Sequence, residues 1–241
     1  MNRLREDLDQ YGFAVVPGVL DRQEIRTLVH ALSSVADENA VRRRSGVYAI
    51  RNLLNLVPAV AELANSPNVI GIAREVLGPD SIPVKGTLFD KTPDANWLVP
   101  WHQDLTICVN SRMDADGYGS WTTKAGVVNV QPPVSVLERM LAIRIHLDDC
   151  DSQNGALRIL PGSHTRGRLS VEQVAAVQAE TAPITCEVER GGVVLIKPLV
   201  LHASSPARDP RHRRVIHIDF AAVNLPPGLL WFADPQQATQ I

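Results

Sequence analysis

"WHQD" places His102 and Asp104 two residues apart in a stretch rich in β-formers. Side chains alternate across a strand, so an imidazole and a carboxylate at this spacing share a face and can converge on one metal ion. Thr106 and Cys108 continue that face. Taken alone, His-x-Asp is a weak signal, because chance pairs of this kind are common. His202, at the end of the late apolar run "LVLH", adds a third ligand. Two histidines and one carboxylate form a facial triad, which leaves adjacent positions of an octahedral ferrous ion open. A 2-oxo acid can occupy two of them and dioxygen another. Such an acid, when it carries a distal carboxylate, needs a cation at the far end of its pocket. Arg213, eleven residues after His202, opens the next apolar run. Its planar fork meets a carboxylate with two hydrogen bonds and stays charged.

These residues need rigid elements to carry them. The first eighty residues read as helical. Asp21 and Glu24 form a capping-box start, followed by Ile25, Leu28, Val29 and Leu32 at helical spacing. Ser66-Pro67 opens another helix that Gly78 closes. From about residue 81 short apolar or alternating runs recur, among them "IPVKGTLFD", "MLAIRIHLDD", "ALRIL", "VVLIK" and "RRVIHIDFAAV". Turn chemistry such as "SQNGA", "LPGSH" and "ERGG" separates them. One helix interrupts the series, with Ser170 and Gln173 as its capping box. The pattern predicts a mainly β fold with flanking helices, a double-sheet jelly roll. We read residues 1–241 as one domain: a helical lead-in over about 1–80, a jelly-roll core over about 81–222 and a tail over 223–241. The stretch 110–136 is too long for a plain hairpin and reads as a functional loop or lid.

Bulk composition narrows the function. The formal net charge is −2, so the basic excess expected of a nucleic-acid or membrane-surface protein is missing. "VRRRSG" (41–46) is a local basic cluster, read as a solvated loop or helix end. Cys108, Cys150 and Cys186 are an odd set without paired spacing, which fits a reducing compartment and gives neither a disulfide framework nor a cysteine-based zinc site. The N-terminus is charged and no apolar run approaches membrane-spanning length, so the expectation is a soluble cytoplasmic protein.

At this point the sequence resembles the phytanoyl-CoA dioxygenase family of Fe(II)/2-oxoglutarate-dependent oxygenases. The matching features are "HQD" at 102–104, "NGALRILPGSH" at 154–164, "GGVVLIKPLVLHAS" at 191–204 and the arginine at 213, over roughly residues 84–222. The resemblance implies a double-stranded β-helix of the cupin-like kind, which agrees with the jelly roll inferred from strand pattern. It implies His102, Asp104 and His202 as iron ligands, Arg213 as anchor of the 2-oxoglutarate carboxylate and Ser204 as a hydroxyl binding the same co-substrate. Arg214 is the rival anchor. Strand neighbours face opposite ways, and the family spacing favours Arg213. A small residue replaces the carboxylate in the family's halogenases. Here Asp104 is present, so hydroxylation of a small molecule is expected, with O2 as co-substrate and ascorbate as a supporting reductant.

Other residues carry plainer readings. His164 reads as a turn residue, His30 and His212 as surface. Arg144 and His146 belong to the polar face of "LAIRIHLDD", toward either the barrel interior or solvent. His217 and Asp219 mimic His-x-Asp but lack a third partner, which favours cross-strand polar contacts. Asn154-Gly155 and Pro161-Gly162 read as backbone devices for tight turns. Trp97, Trp101 and Trp121 are pocket-wall candidates or plain core. Lys85, Lys91, Arg51 and Arg42 to Arg44 are unranked candidates for an anionic group. Two rivals stand beside the oxygenase: a cupin-like metalloprotein acting as hydrolase or isomerase without a 2-oxo acid, and a non-enzymatic jelly-roll scaffold. The substrate is not legible.

Overall fold

A computed structural model of the protein describes residues 2–36, 40–44 and 46–233. The chain begins with α1 (Asn2–Tyr11), β1 (Phe13–Val16), α2 (Arg22–Ser33), β2 (Val41–Arg44) and β3 (Gly46–Ile50). Three short helices follow, α3 (Leu53–Leu56), α4 (Pro58–Ala64) and α5 (Pro67–Leu77). Next come β4 (Ile82–Lys91), β5 (Val99–His102), β6 (Ile107–Val109), β7 (Gly119–Lys124), β8 (Val127–Gln131), α6 (Val134–Leu137) and β9 (Met140–His146). The remainder is β10 (Leu157–Ile159), α7 (Val171–Glu180), β11 (Ile184–Cys186), β12 (Val193–Ile196), β13 (His202–Ser204) and β14 (Arg213–Ala221).

The strands form a seven-stranded sheet in the order β1-β12-β9-β14-β4-β3-β2, a four-stranded sheet β11-β10-β13-β5 and a three-stranded sheet β6-β8-β7. All the strand pairs are antiparallel. Side-chain alternation explains how the large sheet serves two masters. Leu141, Ile143 and Ile145 of β9, with Ile216, Ile218 and Phe220 of β14, pack outward against Leu8, Leu28, Val60 and Val69 of the helices. Ala142 of β9 and Val194 and Ile196 of β12 face the other way and meet Leu157, Ile159 and Cys186 of the four-stranded sheet. Both faces of the central strands are therefore covered, and each of these aliphatic side chains contributes about 1.5–3 kcal/mol by leaving water. Between the sheets, toward one end, β4, β9 and β14 turn polar side chains inward, and the site lies there.

The capping boxes are present. Asp21 accepts from the Gln23 and Glu24 amides, while the Asp21 amide donates to Glu24. Ser170 and Gln173 do the same for α7. Ser66 stands at the N-cap of α5, yet its hydroxyl finds no partner among the described residues. The lead-in is less helical than its sequence suggests, since β1, β2 and β3 lie inside it. Their partners are distant in sequence, Val193–Ile196 for β1 and Leu88 and Phe89 for β3, and no local pattern announces them. Val41–Arg44 is a strand and not the loop or helix end expected of a basic cluster, because β3 pairs with it. Ser45 lies outside the described residues. The stretch 110–136 is also more ordered than a loop. It folds as the hairpin β7–β8 on β6, so the segment is a small sheet in its own right. The tail is described as far as residue 233. No described helix is long and apolar enough to cross a membrane.

Candidate functional site

His102 ends β5 and His202 opens β13, and the two residues face each other across the antiparallel pair. His202 thus begins a short strand and does not end a long one: Pro198 to Leu201 turn back between β12 and β13. The imidazole centroids are 4.2 Å apart. Asp104 lies just past the end of β5 instead of on it, so strand alternation alone does not aim its carboxylate. The chain bends through Gln103, whose amide donates to the carbonyls of Gly167 (2.8 Å) and Leu199 (2.7 Å) and accepts from the Leu169 amide (2.9 Å). The Asp104 amide donates to Pro198 (2.9 Å). These bonds fix the turn that swings the Asp104 carboxylate between the two rings. The ligand atoms of His102, Asp104 and His202 all lie within 4.8 Å of one another.

Tautomers follow from the outer contacts. His102 Nδ1 lies 2.8 Å from the Pro100 carbonyl and His202 Nδ1 lies 3.0 Å from that of Val200. A carbonyl only accepts, so Nδ1 carries the hydrogen on each ring and donates it. Each Nε2 then presents a lone pair to Asp104, at 3.8 Å to Oδ1 from His102 and 3.6 Å to Oδ2 from His202. Burial pushes the His202 imidazolium down to about 4, although Asp104 opposes this. Burial works against the Asp104 carboxylate, but His202, His217 and Lys85 outweigh it and hold its pKa low. Asp104 Oδ2 has no hydrogen-bond partner among the described residues.

A cavity of about 330 Å³ opens from these ligands, and its inner wall is a ladder of polar residues on β4, β9 and β14. Lys85, Thr87, Phe89 and Lys91 alternate along one face of β4. Opposite them on β14 stand Asp219, His217, Val215 and Arg213, respectively. Arg144 of β9 faces His217 from the other side. Arg144 donates to His217 Nδ1 (2.9 Å), so His217 Nε2 carries its hydrogen and donates to Asp219 Oδ1 (2.8 Å). Lys85 closes the chain on Asp219 Oδ2 (2.9 Å). His217 and Asp219 thus make cross-strand polar contacts, to Arg144 and Lys85 respectively, and among the described residues no third metal-ligating side chain joins them. Burial disfavours the Asp219 carboxylate, but Lys85 and His217 outweigh it and lower its pKa. Burial lowers Arg144 to about 10, with Arg213 adding to the effect. His146 takes the interior side too: it is buried, neither ring nitrogen has a described partner, and burial, Arg144 and Arg213 push it down to about 3.

Adjacent arginines take opposite sides of β14. Arg213 is 3 % exposed and lines the cavity; it donates to the Gly155 carbonyl, and its Nε has no partner among the described residues. Arg214 turns away and grips Asp148 with two side-chain bonds of 2.8 and 2.6 Å. Lys91, opposite Arg213, is fully buried and donates to Ser204 Oγ (2.6 Å) and to the Ser205 carbonyl (2.5 Å). Burial, then Arg213, lowers its ammonium to about 7. Gly155 has a φ of +80°, and a Cβ there would meet the Ser205 carbonyl at 2.8 Å and Lys91 Nζ at 3.2 Å, so this corner admits only glycine.

The sequence brings His102, Asp104, His202, Ser204 and Arg213 to one cavity. It also left Lys91 unranked and did not single out Gln103. The period-two run Lys85, Thr87, Phe89, Lys91, polar or aromatic at each inward position, was the available signal for the first. Trp97 lines the cavity, whereas Trp101 stacks on Arg158 in a neighbouring apolar cleft and Trp121 packs with a separate cluster. His164 bonds to the Asp9 carbonyl (3.2 Å) and takes no part. Exposed His212 bonds to Asp90 (2.7 Å).

The family profile described as "Phytanoyl-CoA dioxygenase (PhyH)" matches residues 8–215. The "Ectoine dioxygenase" of Nocardia farcinica (strain IFM 10152) is 26% identical over 182 residues, covering 71% of this chain and 53% of that protein; the chain spans about half the length of this curated relative. EctD from S. alaskensis, solved with 2-oxoglutarate and 5-hydroxyectoine and also with bound Fe, superposes with a TM-score of 0.73 at 19% identity, over 92% of this chain and 76% of that one. The epimerase SnoN from nogalamycin biosynthesis, described as non-heme and alpha ketoglutarate dependent, superposes at 0.69 with 18% identity, over 91% and 82%. The last two likenesses establish the jelly-roll fold.

Proposed function

Because the chain belongs to the phytanoyl-CoA dioxygenase family, we propose that it is an iron- and 2-oxoglutarate-dependent oxygenase that hydroxylates a small molecule. In the net reaction one oxygen atom of O2 enters a C–H bond of the substrate. The other enters succinate, as 2-oxoglutarate loses carbon dioxide. The observation that carries this reading is the pair of Nε2 lone pairs aimed at a carboxylate whose Oδ2 has no hydrogen-bond partner among the described residues. Three acceptors facing one another repel, and a cation among them reverses the sign. His102, Asp104 and His202 would hold Fe(II). When bound there, iron supplies the activation of dioxygen that couples decarboxylation to hydroxylation.

The chain's own residues bind and orient. Arg213 and Lys91 oppose each other across β14 and β4, a like-charge pair that is unfavourable by itself. A carboxylate between them removes that cost, so the distal carboxylate of 2-oxoglutarate belongs there. Lys91 donates to Ser204 Oγ, which leaves the Ser204 hydroxyl hydrogen to donate to the same carboxylate. The backbone carbonyls of Pro100 and Val200 keep the hydrogens on Nδ1 and so keep both Nε2 atoms available as ligands. The relatives support this reading: EctD has been solved with Fe and with 2-oxoglutarate. The test is succinate release from 2-oxoglutarate with Fe(II), O2 and ascorbate, across a panel of small molecules. The expected result is succinate formation that needs both iron and 2-oxoglutarate and rises with the right substrate. Substrate turnover that needs the metal but is indifferent to 2-oxoglutarate would replace this reading with the cupin-like hydrolase or isomerase.

A further inference from the structure

The cavity's outer end carries two more cations, which neither the metal nor the co-substrate employs. Arg51 follows β3, Lys124 is the last residue of β7, and both line the cavity. Neither makes a side-chain hydrogen bond or ion pair to another of the described residues. Both act on one buried point from outside: the Cys108 thiol is raised by burial, while Lys85, Lys124 and Arg51 pull the other way. Arg51 is half-buried and Lys124 exposed, which marks this end as the mouth, in contrast to buried Arg213.

One hydrogen bond ties together the two segments that carry these cations. Lys124 pairs with Val127 across a two-residue turn, Ala125-Gly126, with φ of 52° and 76°. A turn with both central residues left-handed matches strand twist, but an alanine adopts it unwillingly. Asn52, next to Arg51, is also left-handed at φ 59°, and its side-chain amide donates to the Ala125 carbonyl at 3.3 Å. Two segments 73 residues apart are tied together at the positions that adjoin Arg51 and Lys124. A merely solvated pair of cations needs no such tie and would turn away from a cavity.

Charge balance gives the class of ligand. A ferrous dication and dianionic 2-oxoglutarate cancel, Asp104 is opposed by Arg213, and Lys85 is matched by Asp219, while buried Lys91 behind the lining adds positive charge and no negative. Arg144, Arg51 and Lys124 remain in excess on the lining. We infer that Arg51 and Lys124 form a binding site for an oxyanion group (carboxylate, phosphate or sulfate) of the primary substrate, held at the mouth so that its reacting carbon reaches inward toward the three ligand residues. The inference deepens the oxygenase reading and rests on it. Arginine supplies a fork for two oxygens and lysine a point charge for the third side of the group.

The test is calorimetric titration of the full chain, loaded with manganese in place of iron and saturated with N-oxalylglycine, an unreactive mimic of 2-oxoglutarate. The mimic fills the Arg213 end, so further anions report on the mouth. Inorganic phosphate, sulfate and acetate are titrated at constant ionic strength, with acetamide as the neutral counterpart of acetate. The phosphate and acetate arms separate a phosphoryl group from a carboxylate. The expected result is saturable binding of at least one oxyanion and none of acetamide. Arg51→Gln and Lys124→Gln should each weaken that binding at least about tenfold, with circular dichroism and N-oxalylglycine affinity preserved. Equal oxyanion binding in the variants, or no oxyanion binding by the unmodified protein, overturns the inference. Manganese and N-oxalylglycine binding are measured first: their failure removes the oxygenase reading, and oxyanion titrations without the mimic then still read Arg51 and Lys124.

Discussion

The inner and outer ends of the cavity solve the problem of placing charge in opposite ways. At the inner end Arg213, Lys91 and Arg144 are buried and packed into a ladder of strand neighbours, where each donor is aimed by its opposite number. At the outer end Arg51 and Lys124 come from the edges of short elements, and only their neighbours Asn52 and Ala125 are joined, by one hydrogen bond. Buried charge away from water acts strongly and with little screening, while exposed charge is screened by solvent and salt. Removing an inner residue should therefore change binding steeply and specifically. The same split runs through the ligand residues: the His202 side chain is 3% exposed and that of His102 is 37% exposed.

The largest expected effect falls on the three ligand residues. His102→Ala, Asp104→Ala and His202→Ala should each abolish iron-dependent succinate release, with bound metal and activity lost together. His202→Ala should also cost stability, on the order of 2–3 kcal/mol, because it empties a buried site. His102→Ala should leave stability nearly unchanged. Metal content by elemental analysis and thermal melting read the two halves of this expectation. Near-normal turnover in any of the three would remove that residue from the ligand set.

Next in size is Arg213→Ala. Taking one partner from a buried charge pair costs on the order of 2–5 kcal/mol, since the other charge is left unpaired. The 2-oxoglutarate requirement should therefore rise at least about thirtyfold, 1.4 kcal/mol being about tenfold. Arg213→Lys should recover only part of the loss, because a point charge does not reproduce the fork. A titration of 2-oxoglutarate against succinate release measures both, and an unchanged requirement in Arg213→Ala would take the carboxylate away from this end of the cavity.

A smaller effect comes from Lys91, whose ammonium burial and Arg213 lower to about 7. A lysine with a lowered folded pKa is charged below that value and neutral above it. The dianionic co-substrate should thus bind best below about pH 7 and more weakly as pH rises. Losing the charge on one donor costs about 1 kcal/mol, roughly fivefold in apparent affinity. The sign for stability is opposite: the unfolded lysine stays protonated up to about 10.4, so folding gains as pH rises from 7 toward that value. The pH profile of the 2-oxoglutarate KM should slope upward in the unmodified protein and flatten in Lys91→Met. A profile that keeps its slope in Lys91→Met assigns the titration elsewhere.

What the sequence disclosed follows from the range of the interactions. Capping boxes are local, so Asp21–Glu24 and Ser170–Gln173 were legible. The strands of the core announce themselves by apolar runs and turn residues. The histidine-aspartate pair was legible by spacing, although the reason it works is the Gln103 turn and not strand alternation, since Asp104 lies beyond β5. The pairing of β1 with β12 and of β3 with β4 was hidden, because both strands are recruited by partners far along the chain. Lys91 was legible only as an unranked cation: the period-two run from Lys85 marks the face it shares, but its bond to Ser204 spans 113 residues. The hairpin β7–β8 was mistaken for a loop because its turn is Ala-Gly, which lacks the Asn-Gly or Asp-Gly signature.

The smallest expected effect belongs to Arg214, and it is the sharpest check on the inner end because only strand alternation separates it from Arg213. Arg214 holds Asp148 through two side-chain bonds, and its side chain is 24% exposed. Its hydrogen bonds to Asp148 raise the Arg214 pKa further, so the guanidinium stays charged. Partly exposed pairs contribute little, and even this bidentate geometry is worth about 1 kcal/mol. Arg214→Ala should therefore lower the melting temperature by roughly 2–4 °C, as expected for about 1 kcal/mol in a chain of this size. The 2-oxoglutarate requirement should stay within about twofold, since the side chain faces away from the cavity. Asp148→Ala should cost somewhat more, because Asp148 Oδ2 also accepts from the Arg214 backbone amide (2.9 Å), and the double variant should cost no more than Asp148→Ala alone. If Arg214→Ala instead raised the 2-oxoglutarate requirement as Arg213→Ala is expected to, the inward face of β14 would be misassigned by one residue, and the ladder that defines the inner end would fall with it.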